Sequence, residues 1–461
     1  MKHLSLFFIL LNLCLANTIQ ASPDKVSLKA KIQSILAKNK IANDDMSLAI
    51  SYQDERLFEL NSKKMLIPAS ISKLMTTYSV LKNIDLNQKF KTELYFDGQN
   101  LYLKGGGDPS FVSENLWFLV NEATRQNIKD ISGHIIIDDS YFDSVRFDSS
   151  RESVRVDRSY DAPVGAMSFN WNSVNVFVRP SDKVGEKAVV ILDPQNNYFT
   201  LVNKTNTSKK ITKELVIDVN QKNKIITVSG DVLITANEKP YFKNVAEPDM
   251  WSGENLKAFL LQRNIVVKGK VQKGKTPSSA KKIASYESKN LSLILADMNK
   301  FSNNYVAEML TKNIAALSGE IPATLDTGVK VINNDLKKVG LSSSDFYFVN
   351  PSGLTRDNKF SAYAMDTVLK VMQNDFRYFP TLLESLPIAA IDGTLKRRMK
   401  SDITAGYVRA KTGYLTGVVS LAGYAGHKNG DVYRFSFLYN GPQDESKVRE
   451  TFDQILVELL Q

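Results

Sequence analysis

Apolar positions recur along this chain with two different periods. Met46-Ser47-Leu48-Ala49-Ile50-Ser51-Tyr52 and Arg56-Leu57-Phe58-Glu59-Leu60 alternate around Asp54-Glu55, which predicts two strands of a hairpin. Ser27 to Lys38 before them reads as a short amphipathic helix. Pro68-Ala69-Ser70-Ile71-Ser72-Lys73 then opens a helical apolar run, Leu74 to Leu81. From about Lys89 short alternating runs take over: Lys91 to Phe96, Leu101 to Leu103, Gly133 to Asp139. Between 175 and 235 almost everything is strand-like, with Asn and Lys turns. Glu254 to Asn264 is predicted as a helix and Ile265-Val266-Val267 as a strand.

Helical spacing returns at Leu291, Leu293, Ile294, Leu295 and Met298, and again at Tyr305, Met309 and Leu310, with Phe301-Ser302-Asn303-Asn304 between. Tyr407 to Tyr414 is predicted as a strand with a glycine exit at Gly413. Val418 to Tyr424 and Tyr433 to Leu438 read as two core strands and Ser446 to Leu460 as the last helix. No internal repeat is apparent. A helix-and-sheet frame at both ends therefore encloses a strand-rich middle.

Composition sets few limits. The 461 residues are 43% hydrophobic and 23% charged, ordinary for a folded chain of two or three domains. The net charge of +10 favours an anionic surface such as membrane or wall, in weak association. No nucleic-acid motif accompanies that charge. Met1-Lys2-His3 and the apolar run Leu4 to Ala16 have the shape of a secretory signal, with cleavage expected after Ala21 and export to the periplasm. Cys14 lacks the small residue at Leu13 that a lipoprotein signal requires. No other stretch has the ~18–20 apolar residues of a membrane span.

Cysteine and histidine narrow the chemistry. Cys14 is the one cysteine, so the mature chain has no thiol nucleophile, disulfide or thiolate metal site. His134 and His427 are the only histidines outside the leader, and neither has a motif around it. A serine hydrolase without a placed histidine needs another base, and lysine is the usual substitute. No metal or cofactor is expected. Gly269 to Thr276 matches the P-loop pattern letter for letter, but Pro277 follows where a helix should start, so it reads as a solvated strand and turn.

Ser70 and Lys73 form an S-x-x-K pair in which a lysine amine reaches a serine hydroxyl on one helix face. The spacing is not rare here: Ser22/Lys25, Ser79/Lys82, Ser278/Lys281 and Ser279/Lys282 repeat it. S-x-N likewise occurs several times, but K-T-G occurs once, at Lys411-Thr412-Gly413. Only Ser302-Asn303-Asn304 lies between two helical runs, and Lys411 ends a core strand. The ordered set S-x-x-K, S-x-N, K-T-G is that of β-lactamases and penicillin-binding proteins. Ser70 is then the expected nucleophile. Lys73 is its base, with neighbouring positive charge and burial favouring the neutral amine. Ser302 relays the proton and Asn304 holds Lys73 and the substrate amide. Lys411 and Thr412 meet a terminal carboxylate, Gly413 admits substrate, and the N–H groups of Ser70 and Tyr414 hold the oxyanion.

With these motifs the chain resembles the class C low-molecular-mass penicillin-binding proteins, exported D-Ala-D-Ala carboxypeptidases and endopeptidases. The likeness runs from about residue 30 to 461 and includes Gly105-Gly106-Gly107-Asp108-Pro109, Asp138-Asp139-Ser140-Tyr141-Phe142, Ala162-Pro163, Asn350-Pro351-Ser352-Gly353-Leu354, Asp392-Gly393-Thr394-Leu395 and Leu415-Thr416-Gly417-Val418. It implies an α/β fold: a β-lactamase/transpeptidase-like domain, an antiparallel sheet flanked by helices, interrupted by inserted β-rich domains. On that reading 1–21 is the signal, 22–88 and 281–461 the catalytic domain, 89–174 and 236–280 the insertion, and 175–235 a small all-β domain nested in it. It also implies peptidoglycan stem peptides as substrates and β-lactams as covalent inhibitors. Tyr414 is bulkier than the residue that often follows the triad. Arg155, with Asp157 and Asp161 nearby, stands where some members place an acidic residue to bind the free amine of the stem peptide.

Asp108, Asp138 and Asp139 read as turn and strand-end residues rather than catalytic ones, and Arg356 and Arg397 are open between substrate contact and solvation. A β-lactamase or esterase on the same fold, or a non-catalytic wall-binding scaffold, remain the alternatives. The long gap from Ser70 to Ser302 opposes the first, and the retained Lys73 and Ser302 oppose the second.

Overall fold

The computed structural model describes residues 25–151 and 162–461. Its frame is a five-stranded antiparallel sheet in the order Val408–Leu415, Val418–Gly426, Val432–Asn440, Met46–Tyr52, Glu55–Leu60. The first strand of the chain thus pairs with the last, Ala49 opposite Ser436. Side chains alternate across the sheet. Leu48, Leu421 and Phe437 join a core under the helices Lys25–Lys38 and Glu445–Leu459. Ala49, Ala422 and Leu438 face the opposite core, which gathers Ser72–Asn83, Leu291–Lys300, Asn304–Leu317, Leu325–Lys338 and Ala362–Asn374. With both faces covered, the strands read as nearly continuous apolar runs.

The middle of the chain builds a second core. A five-stranded mixed sheet runs Val271–Lys273, Ile135–Asp138, Leu101–Gly105, Lys91–Phe96, Lys281–Glu287. Pro248–Gln262 packs on it, and so does Ser113–Arg125, a helix missing from the sequence expectation. Leu116, Leu119, Val120 and Ala123 of that helix are buried at helical spacing, a pattern too short to stand out among the strands around it. Two three-stranded sheets follow within the insertion: Lys239–Asn244, Ser173–Arg179, Val189–Asp193, and Val216–Asn220, Ile225–Leu233, Thr200–Ser208.

Pairing places two strands across the boundaries expected from sequence. Lys239–Asn244 pairs with Ser173–Arg179, beyond the edge drawn at 235. Lys281–Glu287 pairs with Lys91–Phe96 in the inserted sheet, beyond the edge drawn at 280. Neither partner can be read from periodicity, because a strand's own pattern does not say which strand it joins. The P-loop-like stretch is strand over Val271–Lys273 with no helix after it. Among the described residues no helix is long and apolar enough to cross a membrane.

Candidate active site

Three segments converge where the catalytic sheet's edge meets the helical layer. Ser70 lies in a single 3-10 turn, Ala69–Ile71, which runs into the helix Ser72–Asn83. Ala69 just before it has a left-handed backbone, φ 48°. Ser302 sits in the break between Leu291–Lys300 and Asn304–Leu317, also left-handed at φ 55°. Such backbones in non-glycine residues cost about 1–3 kcal/mol each and collect at functional sites. Lys411, Thr412 and Gly413 lie on the edge strand Val408–Leu415, which continues through Gly413 and Tyr414 instead of leaving at the glycine. The reason is pairing: Gly413 stands opposite Ser420 and Tyr414 opposite Val419.

Gly413 is a requirement of contact. A Cβ there would lie 2.1 Å from Ser420 Oγ, 2.6 Å from the Pro68 carbonyl oxygen and 3.1 Å from the Ser70 nitrogen. Ser420 Oγ itself donates to Pro68 O at 2.6 Å, tying the second strand to the turn that carries Ser70. Gly353 plays the same part on the other side. Its φ is +77°, and a Cβ would meet Ala69 O at 2.0 Å.

Lys73 is fully buried, and among the described residues its Nζ meets Asn304 Oδ1 at 2.6 Å, the Ser352 carbonyl at 2.6 Å and Ser70 Oγ at 3.1 Å. Two of these can only accept; the hydroxyl can also donate. A neutral amine has two N–H groups and one lone pair. With those two N–H groups on Asn304 and Ser352, a neutral amine can turn its lone pair to the Ser70 proton. The arrangement is thus suited to general-base activation of a serine.

Lys411, also fully buried, donates to Ser302 Oγ at 2.9 Å and to the Thr412 carbonyl at 2.8 Å. Burial above all holds its ammonium well below the usual lysine range, and a proton on Lys73 would act in the same direction. Thr412 Oγ1 bonds Thr394 Oγ1 at 2.8 Å. Tyr414 points outward, 55% exposed, with the Arg449 guanidinium 5.2 Å from its ring centre. All eight residues expected from the motifs therefore fall on these three adjoining segments.

Other participants carried no motif of their own meaning. Ser352 contributes a backbone carbonyl, which no side-chain pattern reveals. Asn350 Oδ1 holds the loop by accepting from Ser352 N, Ser352 Oγ and Gly353 N, while its Nδ2 donates to Asp148 at 3.0 Å. Arg356 donates to Thr416 O at 2.9 Å and Arg397 is exposed. Asp138 accepts from Ser140 and Thr276, and Asp139 from Met167 and Arg146, as turn-forming groups do. His134 Nδ1 accepts from Lys270 N, on the neighbouring chain segment, and His427 Nδ1 from Asn429 N, within its own turn. Arg155, Asp157 and Asp161 lie outside the described residues. Among those described, no cluster of three or more His, Cys, Asp or Glu could hold a metal ion.

A buried lysine within hydrogen-bond reach of a serine at a helix start, facing an S-x-N turn and a K-T-G edge strand, is the constellation of the acylating serine enzymes of the penicillin-recognising fold. The profile of the D-Ala-D-Ala carboxypeptidase 3 (S13) family matches residues 28–460, and the chain belongs to that family, the class C low-molecular-mass penicillin-binding proteins, as a serine-type D-Ala-D-Ala carboxypeptidase. A D-alanyl-D-alanine carboxypeptidase of an Actinomadura species is 30% identical over 412 residues, 84% of this chain and 76% of the relative. The D-alanyl-D-alanine carboxypeptidase DacB of Haemophilus influenzae is 26% identical over 406 residues, 84% and 83% of the two chains. The crystal structure of penicillin-binding protein 4 from Haemophilus influenzae superposes with a TM-score of 0.78, covering 93% of this chain and 97% of that one. At 22% identity this last likeness is one of fold.

Proposed function

We propose that the chain cleaves the terminal D-Ala-D-Ala bond, and the equivalent bond of cross-links, in peptidoglycan stem peptides through an acyl-enzyme on Ser70. The observation that carries this is the Lys73 Nζ arrangement, with two obligate acceptors at 2.6 Å and the Ser70 hydroxyl at 3.1 Å. Lys73 takes the Ser70 proton as Oγ attacks the carbonyl carbon. The N–H groups of Ser70 and Tyr414 hold the oxyanion. The C–N bond then breaks, and the proton passes from Lys73 by way of Ser302 to the leaving amine. Water, deprotonated by the same lysine, next cleaves the ester and releases the shortened peptide, and Lys73 returns that proton to Ser70 Oγ. Lys411 and Thr412 hold the terminal carboxylate, and Asn304 orients Lys73 and the substrate amide. β-Lactams enter the same path and stay as the ester.

Strand pairing supports a catalytic domain of about 22–88 and 288–461, an insertion from 89 to 287, and a nested module over about 173–244. Residues 1–21 have the composition of a leader, which supports export to the periplasm, and the charge of +10 supports weak attachment to anionic membrane or wall.

The test is intact mass after brief exposure of the mature protein to labelled penicillin, with Ser70→Ala alongside. A lasting adduct of one penicillin, absent from Ser70→Ala, is expected. No adduct together with intact drug would leave a wall-binding scaffold, and no adduct with rapid drug loss a β-lactamase.

A further inference from the structure

Beside the S-x-N turn lies a groove of about 940 Å³, within the size range of ligand sites. One wall is Phe301 and Asn303, the two neighbours of Ser302; the other, from the inserted domain, carries Trp171, Ser173, Asn175 and Phe242. Three of its rings are exposed: Phe301 at 66%, Phe242 at 47% and Trp171 at 36%. Trp171 is presented at a cost. Asn170, Trp171 and Asn172 are three consecutive residues with left-handed backbones, φ 49°, 51° and 50°. Side-chain bonds over-determine that turn. Buried Asn172 accepts from Phe169 N and donates to Pro163 O and Ser168 Oγ, and Asn170 clasps Ser113. Strain of this kind, held in place to aim one large exposed ring, points to a use for the ring.

We propose that this groove binds the glycan backbone of peptidoglycan, the uncharged chain of N-acetylated amino sugars, and leads the attached stem peptide to Ser70. The inference rests on the proposed function and names a second site for the same substrate. A pyranose ring offers an apolar C–H face to an aromatic ring and hydroxyl and acetamido groups at its edge. Exposed rings interleaved with amides and hydroxyls match both. Asn303 uses Oδ1 to cap the helix Asn304–Leu317, and its Nδ2 has no acceptor among the described residues. Charge points the same way: against the overall +10, the groove holds Glu114 and Asp193 with Lys289 and so does not select a strongly anionic polymer. Continuity supplies the occupant. A peptide bound at Ser70 is covalently tied to a sugar, and the groove opens at the residues either side of Ser302.

The experiment uses the mature protein with Trp171→Ala, Trp171→Phe and Phe242→Ser. Each is assayed on a glycan-free peptide ending in D-Ala-D-Ala, on disaccharide-linked peptides and on whole sacculi, with penicillin acylation as a check of the catalytic centre. Glycan strands with the lactyl carboxylates amidated, and so uncharged, are titrated against Ser70→Ala by tryptophan fluorescence. Expected are acylation and peptide turnover within twofold of the parent in all variants. KM on the glycan-bearing substrates should rise at least tenfold for Trp171→Ala and Phe242→Ser, and less for Trp171→Phe. Glycan strands should bind Ser70→Ala and not its Trp171→Ala double variant. Equal losses on both substrate types, unchanged KM on sacculi, or no glycan binding would overturn the proposal, the last two pointing to a protein partner for the groove. If the parent fails on glycan-free peptide and on penicillin alike, the proposed function itself is lost, a separate outcome.

Discussion

Arg151 and Glu308 meet at two points in full burial: Nε donates to Oε1 at 2.8 Å and Nη2 stands 2.6 Å from Oε2. Glu308 lies one helical turn after Asn304, which bonds Lys73, so this pair anchors the helix that positions the lysine proposed as the base. Burial pushes the Glu308 carboxyl up, to about 7, with Arg151 opposing. A single truncation takes this buried two-point contact away from the other group. Glu308→Gln and Arg151→Met should each cost about 3–5 kcal/mol in urea unfolding, and the double variant Arg151→Met/Glu308→Met less than the sum. Additive losses would show that the two groups do not depend on each other.

Gly413→Ala tests how closely the edge strand must approach the nucleophile. The added methyl would meet Ser420 Oγ at 2.1 Å and Pro68 O at 2.6 Å, so the strand has to move off the Ser70 turn. A displacement near 1 Å costs on the order of 100-fold in rate. Penicillin acylation should fall by about that factor. Adding Ser420→Ala relieves only one of the two contacts and should restore activity only in part. Full activity in Gly413→Ala alone would mean that the strand gives way freely.

The residues proposed for the site were easier to pick out in sequence than the architecture around them. Ser70, Lys73, Ser302, Asn304 and Lys411 stand in motifs of short fixed spacing, and spacing is what a sequence displays. Ser352 offers a carbonyl, which no side-chain spacing marks even within the Asn350-to-Leu354 stretch, and Arg151 reaches Glu308 across 157 positions. The outer strands, the Ser70 helix and the last helix were readable because each buries a face with its own period. The helices Ser113–Arg125, Leu325–Lys338 and Ala362–Asn374 were not read from the sequence, and neither were the partners of Lys239–Asn244 and Lys281–Glu287, since a short amphipathic run is ambiguous and pairing is a tertiary choice.

Lys411 should give carboxylate recognition an alkaline limit. Its charge fades as pH rises through a value well below the ordinary 10.5, because burial disfavours the ammonium. KM for a peptide with a free terminal carboxylate should therefore climb with pH well before 10.5. A guanidinium stays charged throughout, so Lys411→Arg should lose that limb even if binding is weaker overall. Stability runs the other way. A lysine with a lowered folded pKa leaves the unfolded chain holding more protons between that pKa and 10.5, so this group's contribution to folding improves as pH rises there. A rising KM together with an unchanged or higher unfolding midpoint would separate lost recognition from lost fold; parallel losses of both would count against it.

Asp108 carries the opposite sign and a stability readout. Its Oδ1 accepts from Ser110 N at 2.8 Å and Ser110 Oγ at 2.6 Å, while buried Oδ2 has no partner among the described residues. Burial, opposed by the Ser110 bonds, pushes the carboxyl from 3.8 up to about 6. The folded chain thus holds this proton more tightly than the unfolded one. The stability it contributes is whole below about pH 4 and is lost as pH rises through about 6. A shift near two pH units corresponds to on the order of 3 kcal/mol. Asp108→Asn does not titrate, so any penalty for its amide in that pocket is the same at every pH. Urea unfolding of both proteins at pH 4, 5, 6 and 7.5 should show the parent losing stability relative to Asp108→Asn by about that amount, most of it between pH 4 and 6. A constant difference across the series would mean that Asp108 finds in the fold the same environment it has in water, and that its place in the Gly105-to-Pro109 turn costs nothing.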